Sequence, residues 1–81
     1  MRVDKFLSCV NIVKKRGISA DMIEHNVVYL NGQLTKASKE VKIGDVIEIK
    51  YLDGSKKYEV LSLPTTKSTP KAESSKYWKE V

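Results

Sequence analysis

Five apolar residues near the start of the chain set the frame. Val3, Phe6, Leu7, Val10 and Val13 fall at i, i+3, i+4, i+7 and i+10, the spacing that puts side chains on one face of an α-helix. A helix with one apolar face must bury it, so the remaining chain has to supply a partner layer. Asp4 lies in the first turn, where a negative charge suits the helix dipole. Extending the helix past Val13 would bring Lys14 onto the apolar face, so the helix is expected to stop there. A second, shorter helix is expected from Ile18 to His25, with Gly17 as N-cap and Ile18, Met22 and Ile23 facing inward.

Downstream the pattern changes to that of strands. Val27-Val28-Tyr29-Leu30 is β-branched and aromatic, and Asn31-Gly32 after it is a strong two-residue hairpin signal. A short return strand, Gln33 to Lys36, follows. A connection from Ala37 to Asp45 leads through a Gly44-Asp45 turn into the longest strand, Val46 to Tyr51. Asp53-Gly54 makes a second hairpin into Lys57 to Leu61. The predicted fold class is α+β, two N-terminal helices packed on a small antiparallel sheet of four to five strands. With 81 residues there is room for one core only.

Composition shifts at Pro64. The expected domain is 1–63, and 64–81 is expected to be a flexible linker and aromatic tail, because Pro64 to Ser75 holds no aliphatic residue larger than Ala72. Tyr77-Trp78 in that polar tail either docks back on the domain or meets a partner. The expectation carried forward is the second, with the rings on a mobile tether adding affinity rather than fold stability.

No catalytic site is evident, and the chain is expected not to be an enzyme. His25 is the only imidazole, and at a helix C-terminus it serves the helix end. Cys9 lies beside the apolar stripe as a packed thiol, and a single cysteine fits a reducing compartment. One Cys and one His cannot make a Cys/His zinc site, and no cofactor or metal is expected. No stretch nears the roughly 20 apolar residues of a membrane span. Neither a membrane nor a signal peptide is expected, and the expected location is the cytoplasm.

Positive charge is the remaining signal. Fifteen Lys and Arg against ten Asp and Glu leave a net charge of +5, which suits a polyanionic partner. Arg2, Lys5, Lys14, Lys15 and Arg16 are opposed only by Asp4 in that stretch. Arg2 and Lys5 are spaced to share a helix face, and Lys14-Lys15-Arg16 sits at the junction into the second helix. Lys36, Lys39 and Lys42, with Ser38 among them, form a second cluster. Together they would make a phosphate-tracking surface; alone, such charge runs also read as a solvated face. Without stacking aromatics behind the basic groups, a structured RNA read by shape fits better than a bare single strand.

Arg2-Val3-Asp4-Lys5-Phe6-Leu7 resembles the R-L-D-x-x-L opening of the S4 (αL-motif) RNA-binding domain family. Arg16 matches the arginine opening that family's second helix. Ile23 with Val28-Tyr29-Leu30-Asn31-Gly32 resembles its I-x-x-G-x-V-x-V-N-G run, and Lys36-Ala37-Ser38, Val41 and Gly44-Asp45-Val46-Ile47 its closing K-x-S…V…G-D-x-I. The resemblance spans about residues 2 to 51. Asn26 stands in place of the family's usual glycine, Ser19 in place of its alanine, and Lys15 in place of a frequent serine.

The chain is similar to free-standing members, most of all the bacterial ribosome quality-control type, and also the small heat-shock type that rescues ribosomal subunits. The resemblance implies contact with large-subunit ribosomal RNA and tRNA on the large ribosomal subunit, and the free protein is expected to be a monomer. It carries over Arg2, Lys5, Lys15, Arg16, Lys36 and Ser38 as contacts, beside Lys14 and Lys39 from the charge clusters. The alternatives are a general ribosome or tRNA-binding chaperone or assembly factor and, in another class, a protein-interaction adaptor. Salt separates the last from the RNA readings, since phosphate binding weakens steeply with ionic strength.

Overall fold

The computed structural model describes residues 1–64 and 70–81. Two helices, α1 (Val3–Cys9) and α2 (Arg16–Glu24), precede strands β1 (Val28–Leu30), β2 (Gln33–Leu34), β3 (Val46–Tyr51) and β4 (Gly54–Val60). A 3-10 helix (Lys71–Lys76) and a last strand, β5 (Trp78–Glu80), follow. All five strands form one antiparallel sheet in the order β2-β1-β3-β4-β5. Val3, Phe6, Leu7 and Val10 are buried against Val28, Ile47, Ile49 and Val60. The helical stripe of α1 thus meets the alternate, inward residues of the sheet, as the two periodicities require. No helix among the described residues is long and apolar enough to cross a membrane.

Asparagines set where the helices stop. α1 ends at Cys9, not at Val13, because Asn11 turns left-handed at φ 66°. Its amide donates to the Ser8 carbonyl, and Val13 still reaches the core beyond the turn. Asn26 does the same for α2 at φ 61°: its amide donates to the Ile23 carbonyl and that of Val27 to Met22, a Schellman closure. Asparagine tolerates this conformation because its short polar side chain bonds locally. α2 begins two residues earlier than expected, with Lys15 rather than Gly17 as N-cap. His25 is the C-cap, its Nδ1 2.7 Å from the Asp21 carbonyl oxygen.

The first hairpin closes on Asn31 (φ 53°) and Gly32 (φ 83°), both left-handed, with Leu30 opposite Gln33. Its return strand is only two residues long, because the chain leaves the sheet at Thr35. In the second hairpin Tyr51 faces Gly54, so the connecting residues are Leu52 and Asp53 and the strand starts three residues before Lys57.

The aromatic tail corrects the expectation of free rings. Trp78–Glu80 adds an edge strand to β4, with Val60 opposite Trp78. The Trp78 ring packs edge-on against Tyr58 at 5.1 Å, and its Nε1 donates to the Val10 carbonyl at the end of α1. Ser74, buried, accepts a hydrogen bond from the Asn11 side chain at 2.8 Å. Burial in this cluster pushes the Tyr58 phenol up to about 12. Composition misses this because strand pairing and a few specific side-chain contacts hold the tail, not an apolar run. Of the expected mobile linker, Pro64 to Ser75, residues 65–69 lie outside the described residues, while the stretch after Pro70 is wound into the 3-10 helix rather than left as a tether.

Trp78→Ala removes an aromatic pair and leaves the Val10 carbonyl without this donor. It should destabilise the fold by about 2–4 kcal/mol, read as a lower melting temperature. An unchanged melting temperature would mean that the tail contributes no stability.

Candidate nucleic-acid interface

The first amides of a helix have no partner within it. In α1 the loop after the first hairpin supplies them. Val3 N–H donates to the Lys39 carbonyl at 2.8 Å and Asp4 N–H to Ala37 at 3.5 Å. The backbone of Arg2 pairs with that of Glu40 as a one-residue antiparallel bridge, and Val41 N–H donates to the Met1 carbonyl. A segment more than thirty residues downstream in sequence is thereby fixed beside Arg2.

Asp4 is the centre of the arrangement. Its side chain is only 4% exposed. Oδ1 accepts the Lys5 amide at 2.8 Å and lies 3.3 Å from Arg2 Nε. Oδ2 lies 3.5 Å from Arg16 Nε. Both arginines stay about half exposed, so each guanidinium presents its remaining N–H groups to solvent. Backbone contacts lock α2 to α1 at the same place. The hydroxyl of Ser19, fully buried, lies 2.7 Å from the Asp4 carbonyl and 2.8 Å from that of Arg16, one proton serving the two.

Arg2, Arg16 and the loop carrying Lys36, Ser38 and Lys39 are thus brought together, through Asp4 and the cap of α1. Lys36, Ser38 and Lys39 are exposed. Lys15 is exposed at the N-cap of α2, adjoining Arg16. Lys5 is half-buried on α1. Lys14 is exposed in the link before α2, with no ion pair tying it to the others among the described residues. Cys9 is buried, and desolvation raises its thiol pKa although Lys5 opposes this.

Sequence reasoning gave Asp4 only a dipole role. The missed signal is its position beside Val3 and three residues before Leu7, which places a carboxylate on the buried face between two arginines. A second tie joins the hairpin turn to the loop. Asn31 donates through Nδ2 to Asp45 Oδ1 and accepts the Val46 amide, while Asp45 Oδ2 accepts the Lys42 amide at 2.8 Å. The hairpin turn is thereby bound to the loop that carries the lysines.

Comparison with known proteins places this geometry. The S4 domain family model matches residues 1–47. The chain belongs to the S4 domain family. The RQC P-site tRNA stabilizing factor of Helicobacter pylori is 47% identical over 77 residues, covering 95% of this chain and 92% of that protein. The factor of the same name from Streptococcus pneumoniae is 34% identical over 88% of this chain and 78% of its own. The trimeric structure of Vibrio cholerae Heat Shock Protein 15 superposes with a TM-score of 0.89 at 27% identity, over all of this chain and 81% of that one. Within the S4 fold, the departures from the family pattern are explained locally. Asn26 adopts the left-handed turn that glycine would take, and Ser19 fills a small buried position with a hydroxyl that finds acceptors.

Replacing Asp4 with asparagine preserves shape but removes the charge that holds both arginines. Because the arginines are half solvated, Asp4→Asn should cost about 1–2 kcal/mol, between an exposed and a fully buried pair. Thermal denaturation checks this, and a variant as stable as wild type would deny the pair a structural role.

Proposed function

We propose that this S4 protein is a non-enzymatic RNA-binding factor that docks on the large ribosomal subunit, contacts its RNA and tRNA, and serves ribosome quality control of stalled nascent chains. The observation that carries this is the near full-length likeness to a Helicobacter pylori protein named RQC P-site tRNA stabilizing factor. The basic face supports it chemically. Arg2, Lys5, Lys14, Lys15, Arg16, Lys36, Ser38 and Lys39 are the proposed contacts.

Stabilising a tRNA on a ribosome needs contacts that fix position and tolerate sequence. Phosphate contacts do this, because they set register and orientation without reading bases. Arg2, tethered to Asp4 by Nε and one Nη, and Arg16, tethered by Nε, have their guanidinium groups already oriented, so less side-chain freedom is lost on binding. The lysines add point charge around them. In this reading the protein works in the cytoplasm as a monomer, with no cofactor, and its affinity falls steeply with salt.

Arg16→Ala should weaken binding to large subunits or tRNA by about 1–3 kcal/mol, the scale of a charge-assisted contact. Arg16→Lys should recover only part, since an ammonium lacks the planar fork. Equal binding by wild type and Arg16→Ala in a filter assay would remove Arg16 from the surface.

A further inference from the structure

Two hollows share one wall on the basic side of the molecule. The larger, about 770 Å³, lies between the first hairpin and the following loop and is rimmed by Lys36, Lys39, Lys42 and Ser38. None of these three ammonium groups has an ion pair among the described residues. The two carboxylates beside them are already engaged: Asp45 by the Lys42 amide and Asn31, and Glu40 by the Met1 amine. The basin therefore presents uncommitted positive charge.

The smaller hollow, about 440 Å³, lies between α2 and the same loop. Buried Ile23 and half-buried Ala20 and Ala37 give it an apolar floor, and Glu24 and Asn26 stand at its edge. Thr35 and Lys36 line both hollows, so a ridge one or two residues wide separates them. Their chemistry is opposite. Glu24 repels a phosphate, while an apolar floor with one carboxylate and one amide suits a neutral, flat, amino-bearing group.

We propose that the two hollows together hold one unstacked nucleotide of the bound RNA, its phosphate in the lysine basin and its base in the groove against α2. A base and its phosphate hang from one sugar, so they require adjoining hollows of opposite character. The proposal rests on the RNA-binding reading above and deepens it: the RNA is taken at a bulge, loop or end whose base can leave the stack, not along a continuous duplex. The basin alone would grip any backbone; the groove adds the requirement for an extruded base.

The test uses the full-length protein and three synthetic RNA hairpins: a fully paired stem, the same stem with one bulged nucleotide, and that stem with the bulge made abasic. The bulged RNA should bind about tenfold tighter than the paired one, as expected from partial burial of one base. The abasic RNA should fall back to the paired level. Ala20→Leu, which fills the groove from a helical position, should abolish the preference while paired-stem binding stays. Ala37→Leu serves as the second variant should circular dichroism show Ala20→Leu misfolded. Equal wild-type binding to all three RNAs overturns the nucleotide pocket but leaves the RNA-binding reading intact, and leaves the groove to an apolar side chain of a protein partner. Failure to bind any of them, or tRNA, overturns both. Loss of paired-stem binding in a folded Ala20→Leu also contradicts the pocket, since the groove would then be part of the general phosphate surface.

Discussion

A buried carboxylate with two half-exposed arginines is the constraint on which the rest of this molecule is arranged. Taking Asp4 out of water is costly unless its oxygens are fully partnered. Here they are, by Arg2, Arg16 and the Lys5 amide. The requirement runs both ways. To serve Asp4, the start of α2 must lie beside the start of α1, and the Ser19 hydroxyl between the two backbones holds it there. Because the Asp4 and Val3 amides are satisfied by Ala37 and Lys39, the lysine loop is fixed in the same frame. One solution to a burial problem thus assembles cations from three separate stretches of chain.

The same arrangement explains how cations from α1, α2 and the lysine loop can sit close to one another. Like charges at close range repel, and a folded domain loses stability when they are crowded. Asp4 lies between two of them at the centre and offsets one unit of their charge, and the Met1 amine and Glu40 offset one another at the edge, where the amine holds the Glu40 carboxyl below the usual carboxylate range. Lys36, Lys39 and Lys42 are left uncommitted further out, where water screens them in the free protein. The face is therefore paired at its centre and open at its rim, which suits the phosphate contacts proposed for it.

Much of this was legible in the residues. The stripe from Val3 to Val10 and the alternation of Val28, Leu30, Ile47 and Ile49 encode the two layers directly, because side-chain period is a local property. Asn31-Gly32 was legible as a turn for the same reason. What escaped depends on contacts between distant residues. The stripe ran on through Val13, yet the helix stops at Cys9, since the backbone at Asn11 turns while Val13 still reaches the core. Trp78 docks through one indole N–H to Val10 and one ring to Tyr58, neither visible in a tail of polar composition. On the interface, the basic residues were legible as charge, but their common anchor at Asp4 was not, because a lone acidic residue in a first helical turn has an adequate local explanation in the dipole.

The central claim is that the face organised around Asp4 meets RNA, while the open face of the sheet and the tail do not. Backbone amide chemical-shift mapping of the labelled protein during titration with tRNA tests it residue by residue. The account predicts shifts concentrated at residues 2–5, 14–26 and 35–42, with β4 and β5 little affected. Shifts centred instead on Lys57, Lys79 and the outer face of the sheet, with Arg2 and Arg16 unmoved, would contradict it.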